Sequence, residues 1–529
     1  MPSPAGHISA FPILSESAAL IEDGRLEQAA QRTMAHLHSH PDEPRGLAQL
    51  GLIAMKLGAL GQAEQFVRQS MARGANDFDT RRLLASILNQ QERLDDAEAL
   101  FGQLVEENSD PTLPAVRAQI LDKLGCHQQA SDMQKDLAIA HAGNPHFLIA
   151  YGHNLRASGD VDQAIATYRQ AVESDFECGE AWWALANIKS KVLSDADVIA
   201  MRQALDIAID IRNSAPLHFA LARALHDRKQ YADAFRHYSE GNRQRADSIG
   251  YQAGELDSEV SETERLINAT DIAAMSTDAV GNAVPIFIVS LPRSGSTLLE
   301  QMLGSHGEIE AAGELPYVPA LLRSAIELAT RRGQITVPAL VKSIDGGLAR
   351  SIGTEYLRRA ALHRKTDRPY FIDKLPHNWS NILFIRKILP QARFIEIRRS
   401  AMDCCFSNFS QSFSSAHASS FSLEHIGRTY QNSVRLMEHL DRIAPGLVYH
   451  LRYEALVESP EAELRSVLDY LDLEWTTKML DFHQLERVVR TPSSEQVRRP
   501  LNRDGIKVWA PYSDWLGPLR SALGPLADQ

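Results

Sequence analysis

Residues 284–306 read VPIFIVSLPRSGSTLLEQMLGSH, and this stretch decides the fold. VPIFIV (284–289) is a short apolar run rich in β-branched residues, which predicts a buried parallel strand. LLEQMLGSH (298–306) is a helical pattern with Leu298, Leu299, Met302 and Leu303 on one side. Between them lies SLPRSGST (290–297). A strand–loop–helix of this kind turns backbone N–H groups toward an anion at the helix N-terminus. Gly295 permits close backbone approach, and Ser294, Ser296 and Thr297 add hydroxyls. Arg293 places a fixed cation with bidentate geometry inside the loop.

The loop departs from the nucleotide-triphosphatase pattern GxxxxGK[ST]. Laid over 290–297, that pattern meets Ser296 where its lysine belongs. The cation that grips the β- and γ-phosphates is missing, which argues against a kinase or ATPase.

Working outward, YFIDKLP (370–376) predicts a strand whose end carries Lys374. RFIEI (393–397) predicts another, leading into the helical segment 398–413 with Arg399 and Ser407 eight residues apart. LRYEALVESP (451–460) reads as a strand–helix junction carrying Tyr453, and RTPSSEQVRRPLNRDGIKVW (490–509) closes the series. Together these segments resemble the sulfotransferases, particularly the tyrosylprotein enzymes and bacterial sulfotransferases that carry tetratricopeptide repeats. The resemblance covers roughly 284–525.

The resemblance implies a donor, 3′-phosphoadenosine 5′-phosphosulfate (PAPS). It assigns Arg293, Ser294, Gly295, Ser296 and Thr297 to the 5′-phosphosulfate, Arg399 and Ser407 to the 3′-phosphate, and Tyr453 to the adenine side. Ser400 and Ala401 stand where the family has an acidic residue and a proline. Ser493 and Lys507 correspond to a segment folding back over the nucleotide, with Lys507 one place out of step. Sulfuryl transfer needs one base and several fixed donors. Gly313-Glu314 matches the family's base position, and Lys374 matches its leaving-group lysine, with Arg293 and Ser493 sharing the developing charge. Lys374 and the adjacent Asp373 should point to opposite faces. His377 is the alternative base, since small-molecule sulfotransferases use histidine. His306 reads as a helix-end residue, and Cys404 and Cys405 as core. Side-chain cations serve throughout, so the resemblance implies no metal.

The N-terminal half is periodic. Ala29, Ala63, Ala97, Ala130 and Ala164 recur at intervals of 33 or 34 residues, most of them behind a glycine five residues earlier, and Ala234 follows after room for two units. A glycine ending one helix and an alanine admitting the next suits stacked helix pairs. The pattern resembles tetratricopeptide repeats, about six of them, whose groove would hold an acceptor peptide. The unit near 190–205 is degenerate.

Composition sets outer bounds. Hydrophobic residues make up 44% and charged residues 23%, which excludes a disordered chain. No apolar run approaches the ~20 residues of a membrane span. The first residues lack a basic n-region, so no secretory signal is expected. The four cysteines show no CxxC or zinc spacing, which points to a reducing cytoplasm. Residues 1–280 carry −15 and residues 281–529 carry +3 of the total −12. The acidic half argues against nucleic acid or an anionic membrane as its partner, while the other half suits an anionic ligand.

The expectation is a repeat solenoid over 1–245, a junction over 246–282, and a P-loop-like α/β sulfotransferase domain with a parallel sheet over 283–529. The acceptor expected is a tyrosine or other phenol. A small-molecule, lipid or glycan acceptor stays open, as do a P-loop kinase and a non-catalytic repeat scaffold.

Overall fold

The computed structural model describes residues 12–188, 191–208, 210–330, 333, 335–484 and 497–529. Among the described residues seven helix pairs follow one another between Pro12 and Ile249, one more than the rough count from the sequence. The periodic alanines explain the stacking. Ala29, Ala63, Ala97, Ala130, Ala164 and Ala234 are all fully buried, each on the second helix of its pair. Gly159 ends the helix Pro145–Ser158 in the left-handed conformation, φ 102°, which a glycine adopts without a Cβ penalty. The degenerate unit does fold: Asp195–Ile207 is a helix started by a Ser194–Asp197 capping box, with Val198 buried in place of the alanine. Gly179–Ala186, the first helix of that pair, packs against Ile211–Asp227 instead of against its own partner.

Five strands form one parallel sheet: β1 (Val284–Val289), β2 (Ile309–Ala311), β3 (Tyr370–Asp373), β4 (Arg393–Arg398) and β5 (Val448–Arg452). Their order is β2-β3-β1-β4-β5. Ile286, Ile288, Ile372, Ile395 and Ile397 are buried in one core with Leu299, Met302 and Leu303 of the helix that follows β1. The near-continuous apolar strands are those of a sheet covered on both faces. Lys374 lies one residue beyond β3, and the segment 378–389 opens as a 3₁₀ turn, Pro376–Asn381, before the α-helix Ile382–Ile388.

Packing divides the chain into two compact units, Met1–Met133 with Ala320–Gln334, and Gln134–Pro319 with Ile335–Gln529. Within the second, the last helix pair joins the sheet-bearing half through an aromatic cluster. Buried Tyr512 hydrogen-bonds His226 Nδ1 at 2.7 Å, and its ring meets those of Tyr231, Phe235 and Phe406. Each such ring pair is worth about 0.5–1.5 kcal/mol beyond its buried area. Asn242 Nδ2 adds a 2.8 Å hydrogen bond to the Phe409 carbonyl. Residues 246–282 contain two helices, Ala253–Leu266 and Ala269–Ala273. Glu264 of the first pairs with Arg435 at 2.6 Å, on the long helix Leu423–Ile443.

Candidate functional site

Because every strand runs parallel, all five carboxyl ends open on one edge of the sheet, where α/β proteins bind ligands. The strand order sorts the candidate residues along that edge. Glu314 follows β2, Lys374 lies one residue beyond β3, the 290–297 loop leaves central β1, Arg399 lies one residue beyond β4, and Tyr453 follows β5.

The loop is built for close approach. Gly295 caps the helix Ser296–Gly304 at φ 97°, and a Cβ there would strike the Tyr453 ring. Arg293 is also left-handed, φ 67°, an uncommon conformation for a residue with a Cβ. Such residues persist where surrounding contacts over-determine them. The contacts are present: Arg399 donates to the Arg293 carbonyl at 2.8 Å, and Asn408 Nδ2 donates to the Pro292 carbonyl at 2.7 Å. Ser294 Oγ lies 3.3 Å from Cys404 Sγ. Ser296 and Thr297 are buried in the first helical turn. Burial, with Arg399 beside it, lowers the Arg293 guanidinium to about 10. It remains a cation at neutral pH, and two neighbouring guanidiniums favour an anion between them.

Arg399 and Ser407 meet as their spacing suggests, with Nη1 3.2 Å from Ser407 Oγ. The Arg399 Nε–H is buried without a hydrogen-bond partner. Its guanidinium also lies 5.5 Å from the centre of the half-buried Tyr453 ring. Cys404 and Cys405 are buried, and burial pushes the Cys404 thiol up to about 11, so it is no nucleophile at neutral pH.

On the other side of the loop, Lys374 Nζ donates to Glu314 Oε1 and lies 3.8 Å from Glu300. The Lys374 side chain is 1% exposed and Glu314 43%, so the carboxylate stands at the solvent side of a buried ammonium. The Lys374 amide holds the Gly313 carbonyl at 2.8 Å, which keeps Glu314 beside the end of β3. Asp373 points away from Lys374, as strand alternation requires. It accepts from Tyr356 Oη at 2.8 Å and from the Leu315 amide at 3.4 Å. Burial raises Asp373 to about 7.

That last shift fixes a pH dependence. Between about pH 4 and pH 7 the folded protein keeps a proton that the unfolded chain has released, so this group makes stability fall as pH rises through that window. Asp373→Asn removes the linkage. Urea melts at pH 5 and pH 7 should show a smaller drop for the variant than for the wild type, by up to about 1.4 kcal/mol per pH unit. Equal drops would refute the assignment.

His377 Nε2 is 2.7 Å from His417 Nδ1, the rings stack at 4.6 Å, and burial lowers His377 to about 4. Its ring nitrogen is thus engaged, whereas Glu314 meets Lys374 directly. His306 closes its helix, its Nε2 2.9 Å from the Glu474 carbonyl. Lys507 is held by its backbone: its amide reaches Asp403 at 2.8 Å while its side chain is exposed. Ser493 lies outside the described residues. Glu300, Asp403, Asn408, His417 and Gly505 escaped the sequence reading. Asp403 left one signal, a carboxylate four residues after Arg399 in the first turn of the helix that follows.

A central strand, a loop without the kinase lysine and cations just beyond the flanking strands make up the carboxyl edge of this α/β domain. Residues 285–477 match the sulfotransferase family model, and residues 150–188 match the tetratricopeptide repeat. The chain therefore carries a sulfotransferase domain and a tetratricopeptide repeat. An uncharacterized protein of Aquifex aeolicus (strain VF5) is 28% identical over 440 residues, 81% of this chain and 57% of its own length. Protein-tyrosine sulfotransferase A of Caenorhabditis elegans is 23% identical over 234 residues, 42% of this chain and 60% of its own. The chain thus spans less than two thirds of the length of either relative. The sulfotransferase domain of the Synechococcus PCC 7002 olefin synthase is 21% identical, covering 45% of this chain and 90% of that one, with a TM-score of 0.33.

Proposed function

We propose that this chain is a PAPS-dependent sulfotransferase acting on an acceptor hydroxyl, a tyrosine or another phenol. The observation that carries the proposal is the sorting along the sheet edge. The Glu314–Lys374 pair lies on the β2–β3 side, the anion loop in the middle, and the Arg399–Ser407 pair with Tyr453 on the β4–β5 side. The open, buried Nε–H of Arg399 beside a hydroxyl suits a phosphate. Gly295 lets the Tyr453 ring lie directly against the loop backbone.

When bound, PAPS supplies the sulfuryl group and leaves as adenosine 3′,5′-bisphosphate. Arg399 and Ser407 hold the 3′-phosphate, and the 293–297 loop with its helix N-terminus holds the phosphosulfate. Glu314 takes the proton of the acceptor hydroxyl on its carboxylate. Lys374 Nζ offers its protons to the oxygen that leaves, with Arg293 and Ser493 sharing that charge. The named tyrosine sulfotransferase relatives support a phenolic acceptor. The repeats support a peptide held in their groove, against a mild repulsion of acidic targets by the −15 half. Four free cysteines support a cytoplasmic setting.

Transfer of labelled sulfate from PAPS to a phenol or tyrosine peptide tests the reading, and no transfer to any phenol overturns the acceptor assignment. Tighter binding of ATP than of adenosine 3′,5′-bisphosphate would revive the kinase. Arg399→Ala should cost about 2–4 kcal/mol of adenosine 3′,5′-bisphosphate binding, because a charge-assisted contact is lost. Affinity for adenosine 5′-monophosphate should change much less. Unchanged bisphosphate affinity by calorimetry would reject the 3′-phosphate assignment.

A further inference from the structure

The segment 505–508 is fastened beside Arg399 at several points, and one side chain gathers most of them. Asp403 Oδ2 accepts from the Lys507 amide at 2.8 Å and Oδ1 accepts from the Val508 amide at 2.7 Å. The same carboxylate lies 3.8 Å from Arg399 Nη2 and is 2% exposed. Two consecutive amides converging on one anion require an unusual backbone, and Lys507 supplies it at φ 59°. A residue with a Cβ resists that conformation, so the contact to Asp403 must outweigh the strain. One residue pair earlier, the Gly505 carbonyl accepts from Arg399 Nη2. A Cβ on Gly505 would come within 2.6 Å of Tyr453 Oη, so the strand of chain lies directly on that ring.

We propose that Asp403 is a positioning residue for the donor. It docks 505–508 across Arg399 and Tyr453, and this segment forms a wall of the nucleotide site. The inference rests on the donor reading above. It assigns the contribution of Lys507 to its amide rather than to its exposed ammonium. Asp403 touches neither donor nor acceptor in this scheme. Its removal therefore leaves the reacting groups in place and loosens the wall around the nucleotide.

Asp403→Asn keeps the shape of the side chain but leaves one of the two amides without an acceptor. Adenosine 3′,5′-bisphosphate affinity, measured by calorimetry, should fall about 10–100-fold, the usual worth of one or two hydrogen bonds to a charged group. KM for PAPS should rise in step, while kcat at saturating PAPS and KM for the acceptor move less than threefold. Trypsin should cut at Arg503 or Lys507 faster in the free variant, and the bisphosphate should protect the wild type. Asp504→Asn, an exposed neighbour, should alter none of these. A purely structural role would lower apparent kcat through lost folded protein and leave both KM values unchanged, so that pattern overturns the proposal. So does faster cleavage with unchanged bisphosphate affinity.

A second pair of variants guards against misfolding, because Lys507 is at the surface. Lys507→Gln removes the ammonium and leaves the backbone preference. Lys507→Val removes the ammonium and resists a left-handed φ. The valine variant should bind the bisphosphate at least fivefold more weakly than the glutamine variant. Equal affinities overturn the amide contact. Failure of the wild type to bind the bisphosphate at all refutes the donor reading, and this inference with it. Tight wild-type binding that survives Asp403→Asn refutes the inference alone.

Discussion

Glu314→Gln should lower turnover about 10²–10⁴-fold, the usual worth of a general base, with PAPS affinity nearly unchanged. The glutamine keeps the reach and shape of the side chain and can still accept from Lys374. What disappears is the ability to take a proton. The carboxylate is 43% exposed and Lys374 keeps Glu300 3.8 Å away, so folding should survive the change. His377→Ala should cost much less, because its Nε2 is already engaged with His417. A series of phenols sharpens the measurement. As acceptor pKa falls the hydroxyl needs less help, and the Glu314→Gln deficit should shrink. A deficit independent of acceptor pKa would make Glu314 a binder of the acceptor. The reverse ranking of the two variants would make His377 the base.

Lys374→Met should have two large effects with different origins. Turnover should fall about 10²–10³-fold, the cost of deleting one preorganised donor to developing charge. Stability should fall by about 3–5 kcal/mol, because removing one member of a buried ion pair strands the other. Here the other member is Glu300, 3.8 Å from Lys374 and 3% exposed on the helix that leaves the 290–297 loop, which loses the buried ammonium beside it. The double variant Lys374→Met with Glu300→Gln separates the two. Urea midpoints should recover toward the wild type, whereas turnover should not. Turnover that recovers with stability would reduce Lys374 to a structural lysine.

Much of the site was legible because its signals are local. Gly295 sits one residue ahead of a helix, Arg399 and Ser407 are eight residues apart across a strand end and a helix, and Glu314 follows a glycine. Each of these is a short-range pattern. Glu300 and Gly505 were not legible, since their partners lie 74 and 106 residues away and nothing in their own neighbourhoods marks the contact; Asp403 showed only its spacing from Arg399, while its contact to Lys507 spans 104 residues. A carboxylate inside an apolar helix such as Glu300 reads as a surface residue until the buried ammonium opposite it is known. Lys507 shows the converse: its residue type suggests an ammonium contact, yet the structure engages its amide.

By itself the sequence determined the period of the helix pairs and the strand–loop–helix at 284–306. Both follow from interactions within a few turns or residues, where spacing and residue type carry the physics. The tertiary structure alone decided the strand order β2-β3-β1-β4-β5. That order places Lys374 and Arg399, 25 residues apart in the chain, on opposite flanks of one loop, and brings Glu314 to Lys374 across 60 residues. It also turned the polar stretch 246–282 into helices with partners of their own. Strand neighbours are chosen by packing among distant segments, where sidedness and burial are set by the whole core. No spacing along the chain encodes that choice, so the chemistry of each residue was readable before its company was.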